Sequence, residues 1–240
     1  MDYVTPLGII VLAGLIHASL QLGISMMTLL SGHSLSAKRS AARTLGLVAS
    51  FFCGSFVMIM LIVSFIAYAL TQMMPHGVSS VAWTAASSTL LSLGVITWMT
   101  YYRPGKEGTE LWIPRVLARF LAHRTKVTHD GAEAFSLGLT SVLAEFIFAV
   151  PPAFAAALAL LSLPGSWQLP GLAVYTLIAS MGLGIVVVLI GSGHRISAIQ
   201  RWREAHKRFL QFAAGGGMVV LGFFIYVTYF VTPALAGSLK

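Results

Sequence analysis

The sequence predicts an all-α integral membrane protein of six transmembrane helices, built as two inverted three-helix repeats with the N-terminus and C-terminus outside. Three observations carry that expectation. Of 240 residues, 57% are hydrophobic and only 9% charged, against about 25% charged in soluble domains, so the chain cannot clothe a water-facing surface. Six apolar stretches each reach the ~20 residues an α-helix needs to cross the hydrocarbon core. The basic residues are confined to alternate connections between those stretches.

The stretches run over 7–30, 45–71, 81–102, 135–162, 172–192 and 209–231. They are far longer than the ~10 alternating residues of a membrane β-strand. The first is too long for a signal-peptide core and has no basic segment before it, so it reads as a membrane helix. No separate soluble domain is expected. The chain divides into repeat one (about 7–102), a connector (about 103–134) and repeat two (about 135–231).

The connections sort by charge. The first holds Lys38, Arg39 and Arg43, and the third holds Arg103, Lys106, Arg115, Arg119, Arg124 and Lys126. The fifth holds Arg195, Arg201, Arg203, Lys207 and Arg208. These are every lysine and arginine except Lys240, and the connections over 72–80 and 163–171 hold none. Basic loops stay on the cytoplasmic side, which puts the odd connections inside, in a bacterial inner or plasma membrane. The formal net charge of +8 is thus a topology signal and not the footprint of a nucleic-acid partner. Within the connector, Trp112, Val116, Leu117, Phe120 and Leu121 interleave with Arg115, Arg119 and His123 at helical spacing, as in a helix lying on the inner membrane surface. The basic run over 194–208 suits either a topology signal or a contact with anionic lipid headgroups.

Each half reads helix, basic loop, helix, uncharged turn, helix. Ala49-Ser50 followed by Gly54 is matched by Ala179-Ser180 followed by Gly184. Three helices per half is an odd number, so the halves run in opposite senses, as in transporters that bind substrate near the midplane between inverted repeats.

Charged groups in hydrocarbon are expensive and mark function. Of seven acidic residues only Glu145 falls inside a predicted span, and of seven histidines only His17. They occupy corresponding helices of the two halves, so both are expected to face one cavity near mid-membrane, where a carboxylate and an imidazole can relay protons or hold a cation. The plainer reading is a neutral carboxyl bonded to backbone and an imidazole packed against a helix. Two candidate ligands do not define a metal site, and metal binding stays open. Pro151-Pro152 removes two helical hydrogen bonds in mid-span, and such breaks survive in a membrane where protein or water meets the freed carbonyls. The fourth helix is therefore expected to be broken there and to line the cavity. Gln21, Gly23 and Ser25 permit the same in the first helix. Gly215-Gly216-Gly217 reads as close helix packing, Met26, Met27, Met58 and Met60 as packing or lipid-facing residues, and Cys53 as a small buried hydrophobe. One cysteine excludes an intramolecular disulfide or a CxxC redox pair. No nucleotide loop, HExxH or GxSxG motif is present, so no enzyme chemistry of those kinds and no cofactor is expected.

The first helix, LAGLIHASLQLGISMMTLLSG, and the fourth, LGLTSVLAEFIFAVPPAFAAALAL, resemble the two cysteine-bearing helices of the cytochrome c biogenesis and thiol–disulfide transporter family (the CcdA and DsbD type). That fold belongs with the LysE-type exporters in one superfamily. SMGLGIVVVLIGSG and FLQFAAGGGMVVLGFF match the last two helices in style. The resemblance implies six helices in two inverted halves. Aligned on the Leu-Ser-Gly and on the prolines, the family's redox cysteines fall at Ala18 and Ala149, which cannot form a thiolate. What remains is the scaffold with His17, Gln21 and Glu145. The expectation is a secondary transporter exporting a small solute or ion, with Glu145 as the proton or cation site and Gln21, Pro151 and Pro152 beside it. The alternative is a redox-inactive platform that binds a membrane partner protein. Membrane lipid and a second copy of the chain are further candidate partners.

Overall fold

The structure is a computed structural model that describes residues 3–20, 22–36, 41–100, 123–125, 127–193, 198, 201–202 and 205–234. Among these every regular element is helical. In chain order they are α1 (Val4–Ala18), α2 (Leu22–Ser36), α3 (Ala41–Met73), α4 (Ser80–Thr100), α5 (Gly131–Ala144), α6 (Phe146–Leu161), α7 (Gly165–Ala179), α8 (Met181–Gly191) and α9 (Lys207–Tyr226), the last running into a π-helical turn at Val227–Val231. Most of the connector, with its expected interfacial helix, much of the 194–208 run, and Gln21 lie outside the described residues.

Three helices, α3, α4 and α9, are long and apolar enough to cross a membrane. Three further pairs qualify only when joined across a bend: α1 with α2 at 44°, α5 with α6 at 81°, and α7 with α8 at 53°. The described residues therefore hold three to six candidate spans. Its outward faces carry large apolar side chains, with Phe65 71% and Val188 69% exposed, a surface suited to lipid rather than water. Aromatic pairs mark the two ends of α4. Trp83 stacks on Tyr229 at 4.0 Å and Trp98 on Phe212 at 5.6 Å. The two tryptophans lie about 22 Å apart along the helix, Trp83 buried and Trp98 partly exposed.

Small residues set the packing. Gly54 of α3 and Gly138 of α5 meet backbone to backbone: a Cβ on Gly54 would overlap the Phe135 carbonyl, and one on Gly138 the Phe51 carbonyl. Ser55 Oγ donates to the Gly138 carbonyl at 3.2 Å across the same crossing. Gly215 packs on Trp98 of α4 and Gly217 on Ile16 of α1, so the triple glycine is a packing surface, as its composition predicts. At the start of α5, Asp130 Oδ1 accepts from the Glu133 amide at 2.8 Å and Glu133 Oε2 from the His129 amide at 2.7 Å, satisfying amides that a helix start leaves free.

Several expectations need correction. Pro151 and Pro152 do not break a helix; both are buried within α6. The break falls at Glu145, whose φ of −90° and ψ of 9° end α5 and begin α6. The carbonyls that the two prolines deprive of amides are those four residues back, Ile147 and Phe148. These sit in the first turn of α6, so the disturbance lands at a helix start. The expected turn over 163–171 is mostly helix, because α7 begins at Gly165 with Pro170 still near its start. Cys53 is exposed: with its neighbour Gly54 facing α5, about 100° round the helix, the thiol points away from the bundle. The two halves also differ. The chain breaks at Ser180, yet α3 runs unbroken through the matching Ser50. Ser180 is followed by Met-Gly-Leu-Gly, a weak helix former, and Ser50 by Phe-Phe-Cys-Gly.

Candidate functional site

The three bends converge. A cavity of about 20 Å³ is lined by His17, Ala18 and Leu20 at the first break, Gly23 and Ile24 of α2, Ile59 of α3, Ser141, Val142 and Glu145 at the second break, and Ala179 and Leu183 flanking the third. That is room for about one water molecule. Ile59 stands close to the midpoint of α3, which puts the cavity halfway along the bundle.

Two of the breaks have a local cause, and the remaining one is tied to a distant helix. At the first, Ser19 Oγ donates to the Ile16 carbonyl at 2.6 Å and the Leu20 amide turns back to the His17 carbonyl at 3.0 Å, a side-chain bond competing with the helical ladder. At the third, Ser180 Oγ bonds the Thr176 carbonyl at 2.8 Å just before the glycine-rich start of α8. At the second, the Glu145 carboxylate reaches across the cavity: its Oε1 accepts from the Gly23 amide at 3.2 Å. Gly23 lies in the first turn of α2, where backbone amides lack helical partners and the helix dipole is positive. Glu145 thus caps a half-helix whose start is 122 residues away in sequence.

His17 lies in the last turn of α1 and is 5% exposed. Its Nδ1 is hydrogen-bonded to the Tyr175 hydroxyl at 2.8 Å, with the rings edge to face at 6.0 Å. Tyr175 of α7 is fully buried. The sequence reading did not select it; a tyrosine next to a threonine inside an apolar run was the available signal, since a buried phenolic hydroxyl needs a partner.

The structure therefore brings His17 and Glu145 to one cavity, and α1 packs directly on α6 and α2 on α5. Pro151 and Pro152 do not line it. Of the two positions that the resemblance aligns with redox cysteines, Ala18 lines the cavity and Ala149 is fully buried in the first turn of α6, its amide bonded to the Glu145 carbonyl at 2.9 Å. Among the described residues no three histidine, cysteine, aspartate or glutamate side chains group as metal ligands do. Chemically, the site offers a carboxylate that can exchange a proton or hold a small cation, bonded to an amide at a helix N-terminus, beside an imidazole fixed by a phenol. No protein-family model matches the chain, and neither a curated protein nor a solved structure is significantly similar to it.

Proposed function

We propose that the protein is a secondary membrane transporter, an exporter of a small solute or ion, in which Glu145 binds and releases the coupling proton or cation as access alternates. One observation carries this reading: an ionisable carboxylate sits halfway along the bundle, in a cavity where three candidate spans are broken. Intramembrane acids and discontinuous helices mark ion pathways. The spans would be six, in two inverted halves, with both termini outside and the basic connections in the cytoplasm of a bacterial cell. Some helix neighbours support this arrangement: exchange of the halves maps the α1–α6 contact onto α5–α2 and leaves α4 against α9, whereas the α1–α9 and α4–α6 contacts have no counterpart of like size. The scaffold would be that of the CcdA, DsbD and LysE type without its redox cysteines.

The test uses the purified protein in liposomes. An imposed pH gradient drives exchange in the presence of single amino acids or monovalent cations, and proton flux is read with an internal pH-sensitive dye. Wild type should dissipate the gradient with at least one of them, and Glu145→Gln should not. Equal flux in both proteins removes Glu145 from the mechanism. A second reading, a membrane platform that binds a partner protein, is favoured by the tightness of the interior: Ala153 and the run from Ala155 to Ala159 are all fully buried, and the cavity is water-sized. Under that reading neither protein carries flux, and a defined partner copurifies in constant ratio.

A further inference from the structure

The His17–Tyr175 bond decides what the cavity can hold. Tyr175 is fully buried on α7, and its hydroxyl lies 2.8 Å from His17 Nδ1. Among the described residues the hydroxyl has no other hydrogen-bond partner. A buried O–H needs an acceptor, and Nδ1 is the acceptor at hand. The phenol therefore donates, and Nδ1 supplies the lone pair. In a neutral imidazole the other nitrogen then carries the hydrogen, so the ring is held as the Nε2–H tautomer. In the opposite tautomer Nδ1–H would donate to the phenol oxygen, and the phenolic O–H would be buried without an acceptor.

The Nε2 hydrogen faces the cavity. Nε2 has no partner among the described residues, and none of their enclosed polar side-chain atoms is left unpaired. Nε2 thus borders open space, and the space that His17 lines is the cavity. Two more polar side chains stand in the same wall, Ser141 and Glu145. Ser141 Oγ donates to the Gly138 carbonyl at 2.8 Å, which leaves its lone pairs for an incoming donor. Glu145 Oε1 takes the Gly23 amide, and an ionised carboxylate has about four acceptor sites. One donor and two acceptors thus surround room for one water, and a buried water makes about three hydrogen bonds.

We propose that Tyr175 makes this site select a proton over a metal cation. As a positioning residue it holds His17 in the tautomer that offers the cavity a donor, which a water oxygen can accept and a metal ion cannot. One bound water accepts from Nε2–H and donates to Glu145 and to Ser141 Oγ. Protonation of Glu145 is exchange with it: an O–H bond of a protonated water breaks, the carboxyl O–H forms, and a neutral water stays on Nε2–H. A metal ion would need the Nε2 lone pair, which becomes available only when the phenol loses its acceptor. The proposal rests on the transporter reading above and adds the coupling ion and the residue that sets it. No other ionisable group competes beside His17. Of the helices packed on α1, α6 and α8 carry no titratable side chain, α7 carries only Tyr175, and α9 has none over 209–225.

Magnetic resonance of the protein in liposomes reads the tautomer directly. Ile16-His17 is the only Ile-His pair in the chain, so carbonyl-labelled isoleucine with ring-labelled histidine assigns the His17 signals without any substitution. With the ring neutral, Nδ1 should be bare and Nε2 protonated; the reverse overturns the proposal, and this measurement needs no variant to fold. Zinc ion is then the metal probe. Tyr175→Phe leaves Nδ1 unpartnered in either tautomer, so its His17 signals should shift at a zinc concentration at least tenfold lower than in wild type. Equal zinc response in the two proteins also overturns the proposal. Proton flux is measured on parallel vesicles by the dye assay above. Flux together with the reverse tautomer defeats the role of Tyr175 and leaves the transporter standing. The expected tautomer and zinc response without flux defeat the transporter, and the selectivity remains as a property of the site.

Discussion

Replacing Gly138 by alanine puts a methyl group where the Phe51 carbonyl of α3 already stands, with the Ser55 amide 2.9 Å from the new Cβ. Neither obstacle is a side chain that can swing aside, so the two helices must separate by the better part of an ångström. Three terms compete. Alanine is the better helix former by about 1 kcal/mol. Overpacking a close contact costs about 1–3 kcal/mol. The Ser55–Gly138 hydrogen bond lengthens with the separation, and interhelical bonds of this kind contribute about 0.6 kcal/mol in a membrane. The net expectation is a loss of roughly 0.5–2.5 kcal/mol. Gly46→Ala, on the same helix pair but with open space around its Cβ, should be neutral or stabilising. Reversible unfolding in mixed micelles, titrated with a denaturing detergent, measures both. The double change Gly54→Ala with Gly138→Ala should cost less than the sum of the two, because both force apart one crossing. If Gly138→Ala matches Gly46→Ala within about 0.5 kcal/mol, a normal surface-substitution scatter, the backbone contact is not where α3 and α5 are held.

Other outcomes follow from the cavity and the topology. Tyr175→Phe removes the partner of His17 Nδ1 and should cost about 1–3 kcal/mol in the same unfolding assay, whereas Tyr175→Phe combined with His17→Leu should recover part of that loss; full additivity would mean that the pair is not coupled. Glu145→Ala removes the cap from α2 and should destabilise by about 0.5–2 kcal/mol, with faster amide hydrogen exchange at Gly23; unchanged exchange there would deny the capping bond. Reporter fusions after His76 and after Gly193 should fall on opposite sides of the membrane, the first outside and the second inside; same-side reporters would remove the six-span reading.

What the sequence determined by itself follows from composition and local pattern. Six apolar runs and the sorting of fourteen of the fifteen basic residues require nothing but the chain, because the bilayer acts on each segment separately. The same holds for Glu145 and His17, which stand out simply because hydrocarbon excludes ionisable groups. The triple glycine, too, announced a packing surface without saying against what. Tertiary structure decided the rest, and the reason is distance along the chain. Pro151-Pro152 marks a strained stretch, but the fold sets the bend at Glu145, where the carboxylate meets an amide 122 residues away. His17 looked like a lone imidazole until α7 brought Tyr175 to it from 158 residues away. Ser50 and Ser180, by contrast, share the Ala-Ser pair and a glycine four residues on, and the additional glycine after Ser180, at Gly182, is the local difference that goes with its break. The cavity belongs to no segment at all: it exists because three interrupted helices, each unremarkable alone, place their loose ends at one level of the bundle.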